Sequence, residues 1–155
     1  MTQRTESALK DRVTIVPPIG PDIAIARLLL DDCLAGPGGE ALASLFAGAP
    51  AARDLVLSVA SNSAHLREAA LRDGERLCRV LSSDPAAYVD GLIGSLSEPM
   101  ADEPSLRRHL RRVKAEAALA IALADVSDLW GVMEVTGALT RLADASLSAA
   151  IRFLL

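Results

Sequence analysis

The chain has 155 residues, 51% of them hydrophobic but only 3% aromatic, and a formal net charge of −4. That length suits one domain burying roughly 68–70% of its unfolded surface without metal or disulfide support. The acidic balance excludes a global attraction to nucleic acid or anionic lipid, so any basic function is local. A core poor in aromatics must be built from alanine, leucine and valine, which favours an all-α fold over sheets.

The opening "MTQRTESALKDRVTIV" is polar and has no apolar stretch of signal-peptide length. Residues 1–20 therefore read as a loose, flexible N-terminal extension, and the helical domain as 21–155. Cys33 and Cys78 stand singly in apolar helical patterns, which predicts free buried thiols and a reducing, cytoplasmic setting.

After "VPPIGP", Ile23, Ala26, Leu30 and Leu34 recur at helical spacing until "GPGG" stops them. A short apolar piece over 40–46 follows. Pro50 opens a helix through Leu55, Leu57, Val59 and Ala60, with Asn62 or Ser63 placed to cap the next. Asp73-Gly74 marks a turn, Leu77, Val80 and Leu81 form another stripe, and Asp84-Pro85 offers an N-cap with proline in the first turn. Short helices over 21–97 thus lead to a connector, 97–105, with two prolines and three acids, where Asp102 can cap a long helix.

The long helix pair over 105–155 holds the strongest signal. Within "LRRHLRRVKAEAALAIALADVSDLW", Leu106, Leu110, Val113, Ala117, Ile121 and Ala124 fall on an arc of about 100°. Arg107, Arg108, Arg111, Arg112 and Lys114 spread over roughly 160° opposite. The charge-free run 117–124 is far short of the roughly 20 residues a membrane span needs, and alanine suits a lipid interface poorly. No aromatic residue interleaves the arginines, which argues against nucleic acid. A second stripe, Val135, Leu139, Leu142, Ala149, Ala150 and Phe153, predicts a C-terminal helical hairpin. Asp125, Ser127, Asp128 and Gly131 form its turn and Trp130 closes its end. Asp125 and Asp128 have no histidine or third acid beside them, so they read as turn chemistry, and no catalytic or metal-ligating residue is assigned. His65 and His109 lack a glycine-framed serine, against hydrolase chemistry. The five basic residues remain as candidates for contact with an anion or a neighbouring domain.

The order of the basic helix, the aliphatic run and "EVT", "LADA" and "AAIRFLL", preceded by "SNSAHLREAALRDGERLCRVLSSDP", resembles the front helical segment of the bifunctional bacterial enzymes that adenylylate and deadenylylate glutamine synthetase. The resemblance covers roughly residues 40 to 155; Ala64 and His65 depart from it, where the family more often has proline and an aromatic. It implies an adjoining nucleotidyltransferase domain, glutamine synthetase and the PII signalling protein as partners, and Mg and ATP as cofactors of the parent enzyme. The family's glycine-serine turn followed by an Asp-x-Asp pair occurs nowhere in this chain, so no catalytic residue is carried over. The other reading is a stand-alone helical interaction or regulatory module.

Overall fold

The computed structural model describes residues 7–14 and 17–155, and every regular element among them is helical. A single turn, α1 (Leu9–Arg12), precedes α2 (Ile23–Ala35), α3 (Gly39–Gly48), α4 (Pro50–Asn62), α5 (Ala64–Leu71), α6 (Gly74–Ser82) and α7 (Pro85–Ser95). Two long helices follow, α8 (Glu103–Val126) and α9 (Val132–Leu154). The boundaries fall where local chemistry puts them. The side chains of Ser63, Asp73, Asp84 and Asp102 each accept a backbone N–H from the first turn of the helix they open. Pro50, Pro85 and Pro104 sit in first turns, where a missing N–H costs nothing. Gly38 enters α3 at φ +76, and a Cβ there would collide with the backbone of Glu75, so both conformation and space call for glycine.

The core is organised around α4. Ala52, Leu55, Val56, Leu57, Val59 and Ala60 are all buried, so this helix is covered on nearly every side, chiefly by α2, α3, α5 and α8. The far half of α8 enters the same core through Leu119, Ala120, Ile121, Leu123 and Ala124, with Trp130 sealed beneath the turn. The near half builds a smaller cluster with α7 and α9, through Leu92, Leu96, Leu106, Val113, Ala117, Leu142 and Ala149. One helix therefore ties both clusters together. The connector 97–105 interrupts the chain without separating two bodies.

Three expectations need correction. The extension read over 1–20 is not loose at its centre: Leu9 is fully buried, its N–H donates to the Ser83 carbonyl, and Arg12 pairs with Asp84. One apolar residue on a single helical turn is too little periodicity to read from sequence; residues 1–6, 15 and 16 lie outside the described part. Leu139 faces out, and Ala138 takes the buried position, on the side of α9 where Leu142 and Ala149 are also buried. Leu110 is only half-buried, since α7 and α9 cover the Val113 side of α8 more fully. Both cysteines are free; Cys33 is buried and Cys78 half-buried, and burial pushes the Cys33 thiol pKa up, with the nearby Asp73 charge adding to it.

Candidate functional site

The first turns of α8 position the cationic face. Asp102 accepts the Ser105 N–H at 2.7 Å, fixing where the helix begins and hence which way its arginines project. The same bonds from Ser105 hold the Asp102 carboxyl pKa below its ordinary value. Arg107, Arg108, Arg111, Arg112 and Lys114 are all exposed, as the helical spacing requires once the opposite face is buried. Two of the five are compensated: Arg107 pairs with Glu103 one turn back, and Arg112 lies 3.8 Å from Glu116 while donating to His109 Nδ1 at 3.1 Å. Arg108 donates to the Ser105 hydroxyl, and its charge also helps to lower the Asp102 carboxyl pKa. Among the described residues, Arg108, Arg111 and Lys114 make no ion pair, and Arg107, Arg108 and Arg111 line one shallow concavity with Glu103 and Pro104.

Beneath this face lies a group that the sequence reading passed over. Glu116 is a carboxylate buried on the core side of α8, held by the Tyr88 hydroxyl at 2.8 Å and flanked by Arg79 at 4.0 Å and Arg112 at 3.8 Å. It links α6, α7 and α8 through charge rather than apolar contact. Its signal in the sequence was a lone acid inside "VKAEAALAIALA", beside the apolar arc and four residues after an arginine. Burial raises the Tyr88 pKa, and the hydrogen bond and charge of Glu116 raise it further.

His109 sits beside Ser95, but the pair is not set up for nucleophilic chemistry. Arg112 can only donate, so Nδ1 accepts, and the Nε2–H donates to the Ser95 carbonyl at 3.1 Å. The Ser95 hydroxyl is itself turned onto the Leu92 carbonyl. Asp125 lies in the last turn of α8 and Asp128 in the turn beyond it, where Asp128 takes a left-handed φ of 58 and its N–H donates to the Asp125 carbonyl. Among the described residues no three His, Cys, Asp or Glu side chains converge as a metal site. Asp22, Asp73, Asp84, Asp90, Asp102, Glu103 and Glu116 are each engaged in a cap or an ion pair. This donor set does not fit the clustered carboxylates that two-metal nucleotidyl transfer requires. Among the described residues no single helix is long and apolar enough to cross a membrane; the apolar pair α3 and α4 is bent by 116°.

Fold and site together define an all-helical bundle that presents one cationic helix face over a buried carboxylate. The chain belongs to the glutamate-ammonia ligase adenylyltransferase family, whose sequence pattern matches residues 53–155. It is 43% identical over 117 residues to the bifunctional glutamine synthetase adenylyltransferase/adenylyl-removing enzyme of Xanthobacter autotrophicus, a match covering 74% of this chain and 12% of that protein. The enzyme of the same description from Caulobacter vibrioides is 36% identical over 148 residues, covering 94% of this chain and 14% of the relative. That from Bradyrhizobium diazoefficiens is 40% identical over 111 residues, covering 68% and 11%. The chain thus spans about an eighth of the length of the curated relatives it matches. No solved structure matches it significantly.

Proposed function

We propose that this chain is a non-catalytic helical portion of a cytoplasmic enzyme that adds AMP to glutamine synthetase and removes it, and that α8 orients it against the adjoining nucleotidyltransferase domain. One observation carries the proposal. Arg108, Arg111 and Lys114 are exposed on one rigid face without an ion pair among the described residues, in a chain whose net charge is −4. Unpaired cations on an ordered helix repel one another at i, i+3 and i+4, and an anionic neighbour relieves that cost while fixing register. The relatives' names supply the reaction, and the length they have beyond this chain supplies room for the catalytic part. In this reading Mg, ATP and the PII protein engage that other part, and the bundle contributes placement.

The test is a graft. The segment of the Xanthobacter autotrophicus enzyme that matches this chain is replaced by the corresponding residues of this chain, and AMP addition to and removal from glutamine synthetase are measured beside the isolated chain. The proposal expects an active graft and an isolated chain inert in both directions. An inactive graft that folds normally, or metal-dependent AMP transfer by the repurified chain alone, overturns it.

A further inference from the structure

Where α5, α6 and α8 meet, a cavity of about 210 Å³ is lined by His65, Glu68, Ala69, Arg72, Arg76 and Ala115. The joint between α5 and α6 builds it. Asp73 accepts the Arg76 backbone N–H at 2.9 Å, which starts α6 directly after α5 and turns the Arg76 side chain back along α5. There its Nη2 donates at 2.7 Å to the carbonyl of Ala69, one of the last four carbonyls of α5, which a helix leaves without internal partners. That bond accounts for one nitrogen of the guanidinium and not for another. The Arg76 Nε–H is shut off from solvent and, among the described residues, has no hydrogen-bond partner, a costly state for a donor on a charged group. Nor does the Arg76 side chain pair with any carboxylate among the described residues.

The rest of the lining makes this a place for a small anion. Arg72 pairs with Glu68 at 2.6 Å, but with side chains 75% and 64% exposed the pair is weak and opens readily. Glu68 is the one carboxylate in the lining, set against two guanidiniums and the His65 imidazole. Ala115 contributes only a methyl group, and Arg111, one turn earlier on the same ridge of α8, adds positive potential at that end. A planar carboxylate has two oxygens and answers one guanidinium fork. A tetrahedral phosphate group offers oxygens in several directions and carries up to two charges, so it can meet both guanidiniums at once. We propose that the cavity between α5, α6 and α8 binds a phosphate group, held by Arg76 and Arg72 with His65 as a further donor, and that Glu68 competes with the ligand for Arg72. A small turn of the Arg76 guanidinium would give its unmet Nε–H a phosphate oxygen. Free phosphate and the phosphate end of a small metabolite share this chemistry. The site is separate from the orienting contact assigned to Arg108, Arg111 and Lys114, and all of its groups come from this chain.

Two-dimensional NMR of the whole 155-residue chain tests this, with inorganic phosphate or glycerol phosphate titrated in exchange for chloride at constant ionic strength. The expected result is that amides over 65–76 and that of Ala115 shift together and saturate, with a Kd on the order of 1 mM for so small a ligand. Arg76→Met weakens that binding at least tenfold. Glu68→Gln strengthens it several-fold, because the competing carboxylate is gone, and its exposed position keeps this variant folded even where Arg76→Met is not. Tighter binding of glycerol phosphate identifies an organic phosphate as the ligand and tighter binding of inorganic phosphate the free ion; either outcome places the phosphate group at Arg76. Shifts that do not saturate by about 50 mM, or that spread evenly over the cations of 107–114, overturn the proposal. So does an affinity that Arg76→Met leaves intact or that Glu68→Gln fails to raise.

Discussion

Glu116 shows what a single side chain does in this fold. A carboxylate this deeply buried must be bonded, and the Tyr88 hydroxyl is its one short hydrogen bond; the two arginines stand off at nearly 4 Å. Tyr88→Phe is therefore expected to cost about 1–3 kcal/mol, the penalty of leaving a buried acceptor unmade. Adding Glu116→Met should recover much of that loss, since an apolar residue of similar volume needs no donor; thermal melts of the three variants decide it. Asp102 gives a pH signature. Its carboxyl pKa is held below the ordinary 3.8 in the folded chain, so it contributes stability above that value and loses it as pH falls through the lower folded value. The difference in melting temperature between the native chain and Asp102→Ala should be constant near neutral pH and shrink below pH 3.8. A difference that grows on acidification would contradict the cap.

At the scale of elements, the long amphipathic helix was legible because its two faces obey one period: Leu106, Val113, Ala117, Ile121 and Ala124 are buried, and all five cations are exposed. The Asp73, Asp84 and Asp102 starts were legible for the same local reason, since capping depends on a few adjacent residues. What escaped reading depends on distant packing. Nothing near Leu9 announces the Ser83 carbonyl it meets, and nothing in the spacing of Leu139 and Ala138 says which one faces α8. Leu110 and Ile121 separate these cases experimentally. Ile121→Asp puts an unpaired charge into the main core and should unfold the chain, at a cost of several kcal/mol. Leu110→Asp sits where water reaches and should leave a folded, weakened protein. Equal losses in chemical denaturation would mean that α8 is covered evenly along its length.

At the scale of the whole molecule, the fold divides labour along α8: its far half is core and its near half is a charged surface standing over Glu116. The basic face was legible as a pattern. Its partial neutralisation by Glu103 and Glu116 was not, because the buried position of Glu116 follows from where α6 and α7 lie. The cations left over, Arg108, Arg111 and Lys114, are those the account assigns to orienting the bundle. Reversing two of them is the most direct test. Arg108→Glu with Arg111→Glu is expected to leave the melting temperature of the isolated chain nearly unchanged, as exposed charges do. In the grafted Xanthobacter autotrophicus enzyme at low ionic strength, where such contacts are least screened, the same pair should lower the rate of AMP removal from glutamine synthetase at least several-fold. An unchanged rate at low salt, with the same melting behaviour, would contradict the account and leave the cationic face of α8 as solvated surface.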